Sequence, residues 1–351
     1  MNFTDYCAHD AMGLAELIRK GDVSATEVLD AAIDRIEAVN PALNAVVATF
    51  FDEARATAKA PLSGPFAGVP FMLKDLGVQV RGQPVTNGSR FWKDQICTKD
   101  TTLVQRYRQA GLVLMGMTST AEYGLCCDTV PSLQGATLNP WDTSRMPGGS
   151  SGGAAVAVAS GMLPAAHASD GGGSIRIPSS CNGVFGLKPS RGRNPIGPDV
   201  GEGWNGLSVQ HVITRSVRDS AAFLDATHGP EPGDPYAAPP IDGTFLQGIG
   251  QRGKRLRIAF QRVDHFGNPL HPDTRAAVED AASLLSDLGH RVVEARPSFD
   301  AEALKWDMFT IVGCNWLQAL QHRGRIIGRE PGPQDMEPIS WLWAERCRSR
   351  S

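Results

Sequence analysis

The stretch MPGGSSGGAAVAVASGMLPAAHASDGGGSIRIP, residues 146–178, holds two clusters of glycine and serine, at 147–153 and 169–174. Between them, residues 154–160, AAVAVAS, form a small apolar segment that suits tight packing. Glycine lets backbone come close to a ligand where a Cβ would clash. A flexible linker is the alternative, but linkers do not usually enclose such an apolar run. The stretch therefore predicts ligand-contacting loops within a packed domain.

The chain on both sides of this stretch alternates between helix-like and strand-like patterns. A capping-box pattern, Ser24 to Glu27, precedes apolar residues at helical spacing, and Pro41 is expected to stop that helix. Further strands are predicted at 45–50, 68–73, 112–115, 256–260 and 291–295, and further helices at 102–110, 216–224 and 278–288. Alternation of this kind predicts an α/β domain with a largely parallel sheet.

The composition is that of an ordinary water-soluble globular protein. The chain has 351 residues, 42% of them hydrophobic, and a net charge of -3, which gives no electrostatic footprint for nucleic acid or an anionic membrane. There is no signal-peptide pattern and no run of eighteen apolar residues, so a cytoplasmic location is expected. The seven cysteines include no Cys-x-x-Cys pair, and the eight histidines have no ligand spacing. Neither a metal site nor a cofactor is therefore expected.

The two clusters offer the groups that amide hydrolysis needs. Ser150 and Ser174 supply hydroxyls, and the three glycines at 171–173 let backbone N–H groups converge on one point. Lys74, at the end of an apolar strand, is the candidate base; its pKa of about 10.4 must fall by about 3 to leave it neutral near pH 7, at a cost of about 4 kcal/mol. Spacing alone favours the alternative, a surface lysine paired with Asp75.

Ser151 formally fits another nucleophile motif, the Gly-x-Ser-x-Gly elbow of the α/β-hydrolases. That motif requires an apolar strand directly before it. Residues 139–147 are polar and contain two prolines, which excludes a central strand. The elbow is therefore rejected.

Four linked motifs resemble those of the amidase signature family: GVPFMLKD at 68–75, PGGSSGG at 147–153, SDGGGSIRIP at 169–178 and GLKPS at 186–190. The resemblance implies an α/β fold with a large mixed sheet covered by helices on both faces. It also implies one domain over residues 1–340, incomplete at its C-terminus, and an atypical tail at 341–351 that exposes two tryptophans.

The family's Ser-Ser-Lys triad maps residue by residue onto this chain. It implies that Lys74 is the general base, that Ser150 is a bridging serine with a cis backbone bond, and that Ser174 is the nucleophile. The N–H groups of Gly171, Gly172, Gly173 and Ser174 would form the oxyanion hole.

Residues beside the triad are expected to hold it in place. Asp170 and Arg176 would pair and brace the nucleophile loop, and Ser151 and Ser169 would form hydrogen bonds within the loops. Gly171 stands where many family members have a bulkier residue, which is expected to open the oxyanion side.

The implied activity is hydrolysis of a linear or cyclic carboxamide through an acyl-enzyme. GLKPSRGR at 186–193 and GEGW at 201–204 resemble general bacterial amidases, including 6-aminohexanoate cyclic dimer hydrolases, more than amidotransferase A subunits. Two alternatives stay open: a glutaminase subunit of a tRNA-dependent amidotransferase, and an inactive relic. A small-molecule substrate and a homodimer are the expected partners.

Overall fold

The computed structural model describes residues 1–251 and 253–348. The chain packs into two compact units, Met1–Ile249 with Gly313–Ser351 and Gly250–Val312. The single domain over residues 1–340, with an atypical tail at 341–351, stays a prediction. None of the described helices is both long enough and apolar enough to cross a membrane.

Twelve α-helices and eight β-strands are formed by the described residues. The helices are α1 Phe3–Ala8, α2 Ala11–Lys20, α3 Ala25–Leu43, α4 Phe51–Ala58, α5 Thr102–Gln109, α6 Gly152–Ala159, α7 Arg176–Asn182, α8 Val217–Thr227, α9 Phe245–Gly248, α10 Pro272–Asp287, α11 Ala301–Ile327 and α12 Pro338–Arg348. The strands are β1 Val46–Thr49, β2 Pro70–Lys74, β3 Val113–Thr118, β4 Ala165–Asp170, β5 Phe185–Gly186, β6 Val209–Thr214, β7 Arg257–Phe260 and β8 Arg291–Glu294.

The larger unit is built on a six-stranded sheet in the order β1-β3-β2-β4-β6-β5. The pairs β2–β3 and β2–β4 are parallel, and β1–β3, β4–β6 and β5–β6 are antiparallel. The mixed α/β sheet is thus confirmed, whereas the expectation of a largely parallel sheet was wrong. Every residue of β2, β3, β4 and β6 is buried, as happens when helices cover both faces of a sheet.

The parallel pairing of β2 with β4 positions the candidate site. The two strands run in the same direction, with Met72 level with Ala166, and therefore end at the same edge of the sheet. Lys74 is the last residue of β2, and Asp170 is the last residue of β4. The sheet therefore brings the lysine beside the second glycine and serine cluster.

Local sequence signals located four of the twelve described helices, α3, α5, α8 and α10, and five of the eight described strands, β1, β2, β3, β7 and β8. The capping box at Ser24 and Glu27 is present, but α3 continues past Pro41 to Leu43. Proline there removes only one hydrogen bond of the last turn, so the helix survives it. Strands β4, β5 and β6 were not predicted: β4 reads AAHASD, with few residues that favour strands, and merges into the glycine cluster, and β5 has only two residues.

Most of the predicted tail belongs to a helix. Residues 338–348 form helix α12, and Trp341 and Trp343 are half-buried against a cluster that contains Trp92 and Trp316. The indole N–H of Trp316 donates to the Ser340 carbonyl at 2.9 Å. The expectation that both tail tryptophans are exposed was wrong, because α12 packs on this aromatic cluster.

The smaller unit contains a parallel β-α-β arrangement. Strands β7 and β8 pair in register from Arg257 with Arg291 to Phe260 with Glu294, and α10 connects them. Both strands and this helix were predicted from their apolar periodicity.

Candidate active site

Lys74 lies at the centre of the candidate site and is completely buried. Its Nζ donates to Ser150 Oγ at 2.7 Å and to Ser169 Oγ at 3.0 Å. The carboxylate of Asp75 faces elsewhere and accepts the backbone N–H of Thr86 at 2.6 Å. The alternative of a surface lysine paired with Asp75 is therefore wrong.

The surroundings of Lys74 favour its neutral form. Burial lowers the pKa of Lys74 from an ordinary value of 10.5 to about 7, and the negative charge of Asp170 opposes that fall. Since a base must be unprotonated to accept a proton, an amine with a pKa near 7 is suited to this role at neutral pH. Burial therefore lowers the pKa of Lys74 far enough for a base at neutral pH.

His167 supports the backbone of Lys74 from the next strand, a contact that sequence analysis missed. Its Nδ1 accepts the Lys74 backbone N–H at 3.2 Å, and its Nε2 lies 2.6 Å from Gln210 Oε1. Burial lowers the pKa of His167 to about 3, so the ring is neutral and donates from Nε2 to Gln210. No signal in the sequence identified this contact, because it depends on the β2–β4–β6 strand order.

The first glycine and serine cluster turns sharply into α6. The Gly149–Ser150 peptide bond is cis, as expected, and Ser150 is buried. Ser151 Oγ donates to the Ser169 carbonyl at 3.3 Å, so the two clusters are joined. Glycine is required at position 153, since a Cβ there would lie 2.3 Å from the Ser119 nitrogen.

The second cluster curls around the carboxylate of Asp170. The N–H groups of Gly173 and Ile175 donate to it at 2.8 and 3.2 Å. Ser174 follows, with 9% of its surface exposed, and its carbonyl accepts the Ser151 N–H at 3.3 Å. Because the Gly173 N–H is engaged by Asp170, it is not directed at a substrate oxygen, contrary to expectation.

Asp170 and Arg176 form the ion pair that was expected of them. Arg176 Nε and Nη2 donate to the two carboxylate oxygens at 2.9 and 3.0 Å. Burial by itself raises the pKa of Asp170, but the hydrogen bonds and charge of Arg176 outweigh it and hold the pKa below its usual value. The carboxylate is therefore ionised and can organise the loop.

Gly171 does not leave an opening beside the oxyanion loop. The indole of Trp204 occupies this space: a Cβ on Gly171 would lie 2.5 Å from Trp204 Cε3 and 2.7 Å from Cζ3. The expectation of an open oxyanion side was therefore wrong. Trp204 belongs to the GEGW motif, but nothing in the sequence paired that motif with Gly171.

A cavity of about 600 Å³ lies at the other end of α6 and is separate from this site. Its lining includes Arg35, Ser160 and Arg215. Arg35 and Arg215 both bond to backbone carbonyls, of Ser160 and Cys7 respectively. The cavity contains none of the predicted site residues.

The predicted residues thus meet in one place. Side-chain hydrogen bonds join Lys74 to Ser150 and Ser169, Ser151 to the Ser169 carbonyl, and Asp170 to Arg176, and a backbone hydrogen bond joins Ser151 to Ser174. A buried amine, two hydroxyls and a glycine-rich loop can together support acyl transfer by a serine nucleophile.

Comparison with known proteins also indicates an amide hydrolase. The family model described as Amidase matches residues 27–343. The 6-aminohexanoate-cyclic-dimer hydrolase of Paenarthrobacter ureafaciens is 42% identical over 345 residues, covering 96% of this chain and 70% of that protein.

Solved structures agree with the sequence comparison. A 6-aminohexanoate cyclic dimer hydrolase superposes with a TM-score of 0.94 at 41% identity, covering 98% of this chain and 72% of that one. A bacterial aryl acylamidase of the amidase signature family superposes with a TM-score of 0.90 at 29% identity, covering 98% and 73%. The protein therefore belongs to the amidase signature family of amide hydrolases.

Proposed function

We propose that this amidase cleaves its amide bond through an acyl-enzyme formed on Ser174, with Ser150 as the proton relay and Lys74 as the base. The observation that carries the proposal is the 2.7 Å distance between the buried Lys74 Nζ and Ser150 Oγ, which is short enough for a proton to pass from the hydroxyl to the neutral amine. A pKa of about 7 for Lys74 supports it, because the neutral amine can accept a proton at neutral pH.

In the proposed reaction, Ser174 Oγ attacks the carbonyl carbon of the amide. The Ser174 proton passes to Ser150, whose own proton passes to Lys74. The carbonyl oxygen, now negative, is stabilised by the N–H groups of Gly171, Gly172 and Ser174, since the Gly173 N–H is held by Asp170. Lys74 then returns its proton through Ser150 to the departing amine, and the C–N bond breaks.

Water completes the cycle by the same relay. It attacks the acyl-enzyme ester, loses a proton through Ser150 to Lys74, and releases the carboxylic acid while Ser174 regains its proton. The ion pair of Asp170 with Arg176 keeps the nucleophile loop in shape. Ser169, at 3.0 Å, gives the Lys74 amine a second fixed partner.

The proposed substrate is a linear or cyclic carboxamide, which the chain would hydrolyse without a partner subunit of another kind. Support comes from the relatives named 6-aminohexanoate cyclic dimer hydrolase and aryl acylamidase. The glutaminase alternative predicts instead that glutamine is the sole substrate and that a partner subunit is required. Hydrolysis of the 6-aminohexanoate cyclic dimer or an acyl anilide by the chain alone would decide against it.

The test is active-site labelling with a fluorophosphonate probe, followed by peptide mapping. We expect one modified peptide carrying Ser174 and no labelling of Ser174→Ala. A folded wild-type chain that is not labelled would refute the proposed mechanism and favour the inactive alternative.

Two adjacent serines provide a matched pair for the relay. Ser150→Ala removes the hydroxyl that Lys74 contacts, and we expect the labelling rate to fall by about 100-fold or more. Ser151→Ala removes a loop hydrogen bond and should reduce the rate by less than about tenfold. Equal effects of the two variants would contradict the relay.

A further inference from the structure

We infer that Trp204 forms the wall of the substrate cleft beside the oxyanion loop and selects carboxamides whose acyl group is flat or apolar. The inference deepens the proposed function and rests on it. The indole can lie there because position 171 is a glycine, whose missing Cβ leaves room for the ring.

The indole of Trp204 leaves no room for a side chain at position 171. With a Cβ at position 171, the carbon would come within 2.5 Å of Trp204 Cε3 and 2.7 Å of Cζ3, and within 3.4 Å of Cδ2. Distances below 3.0 Å are not tolerated between a Cβ and a ring carbon, so one of the two groups must move. The six-membered ring of the indole therefore lies directly on the Gly171 backbone, and the two positions are coupled.

The pairing of β4 with β6 determines where the turn with Trp204 lies. Asp170, the last residue of β4, is paired with Val209, the first residue of β6. The turn that precedes β6 must then lie at the same edge of the sheet as the loop that follows β4. This places Trp204 beside the glycines that carry the proposed oxyanion donors.

The turn that carries Trp204 is fixed by hydrogen bonds. Trp204 and Asn205 have positive φ values of 50° and 53°, and the turn is closed by the Leu207 N–H, which donates to the Trp204 carbonyl at 3.1 Å. Asn315 Nδ2 donates to Asn205 Oδ1 at 2.9 Å. Non-glycine residues at positive φ are maintained only where the surroundings fix them, so the turn presents a preset aromatic surface.

The chemistry of the cleft then indicates the ligand class. Gly172 is exposed and Trp204 is half-buried, so the ring borders the accessible side of the loop. The leaving amine must face Ser150 and Lys74 to receive its proton, which directs the acyl group the other way, along the glycine loop. An indole face there favours aryl or alkyl carbon over polar groups.

The test is a double-mutant cycle read with two fluorophosphonates, one bearing an ethyl group and one a benzyl group on phosphorus. Gly171→Ala, Trp204→Ala, the double variant and Trp204→Phe are compared with the wild type. For each, the apparent binding constant of the probe and the rate constant of Ser174 modification are measured separately, and thermal unfolding is recorded.

We expect Gly171→Ala to slow modification by both probes at least tenfold, and the double variant to recover to within about threefold of Trp204→Ala. Trp204→Ala should weaken benzyl binding about tenfold relative to ethyl binding, with the modification rate constant nearly unchanged. Trp204→Phe should keep most of the benzyl preference, which a purely structural role would not require.

Two results would overturn the inference. One is a double variant as slow as Gly171→Ala, which would show that the indole is not what the added methyl group displaces. The other is a benzyl-to-ethyl preference that is the same in Trp204→Ala and the wild type. A folded wild type that is not modified at Ser174 would instead refute the proposed function itself.

Discussion

Replacing Lys74 by methionine should slow the reaction of Ser174 by about 100-fold or more and yet make the protein more stable at neutral pH. The fall of the pKa from 10.5 to about 7 means that burial disfavours the charged amine by about 5 kcal/mol. In the unfolded chain the lysine is protonated at pH 7, so folding must release a proton or bury the charge, at a cost of about 4 kcal/mol. Methionine fills a similar volume without that cost.

The expected gain is smaller than this cost because two hydrogen bonds are lost. Lys74 donates to Ser150 and Ser169, and each bond contributes about 1 kcal/mol. Lys74→Met should therefore raise the free energy of unfolding at pH 7 by about 2 kcal/mol. The labelling rate of Ser174 should fall by about 100-fold to 10,000-fold, the usual contribution of a general base.

The pH dependence gives the sharper assay. The folded-state pKa lies below the unfolded one, so the unfolded chain binds the extra proton between about pH 7 and pH 10.5, and the stability of the wild type rises with pH across that window. From pH 7 to pH 9.5 the wild type should gain about 3 kcal/mol relative to Lys74→Met. Urea unfolding followed by fluorescence measures both, with Lys93→Met, at an exposed lysine, as the control.

A stability difference between Lys74→Met and the wild type that does not change from pH 7 to pH 9.5 would refute the reasoning. The same titration predicts the activity profile: the second-order labelling rate of the wild type should rise with pH through about 7 and then level off. A rate that is flat from pH 5.5 to pH 9 would exclude a lysine base with this pKa.

Three further variants test the framework around the site. Arg176→Ala leaves the buried Asp170 carboxylate without its cation and should destabilise the protein by about 2 kcal/mol at pH 7, measured by urea unfolding; no change would contradict the bracing role. Gly153→Ala forces a Cβ to within 2.3 Å of backbone and should cost more than about 3 kcal/mol, whereas Gly248→Ala, with open space around it, should be within about 1 kcal/mol of the wild type. Trp316→Ala removes a completely buried indole and should lower the free energy of unfolding by about 3–5 kcal/mol; a smaller loss in the melting curve would show that the aromatic cluster is not a core.

The sequence by itself determined the family and supplied the candidate residues of the site. Glycine and serine clusters, and a lysine at the end of an apolar strand, offered Lys74, Ser150 and Ser174 as candidates, and the resemblance of four linked motifs gave the family. A capping box and apolar periodicity located four of the twelve described helices and five of the eight described strands, because these signals act between residues close in sequence. The ion pair of Asp170 with Arg176, six residues apart, was expected from their places on either side of Ser174 in the motif.

Only the tertiary structure decided how these groups meet. Lys74 and Ser169 are 95 residues apart, and their contact follows from the parallel pairing of β2 with β4, which no local pattern specifies. The same holds for the support of Lys74 by His167 and for the indole of Trp204 on Gly171. Burial, which sets the pKa of Lys74, is likewise a property of the packed sheet and its helices, because a lone sequence cannot say which strands cover a side chain from water.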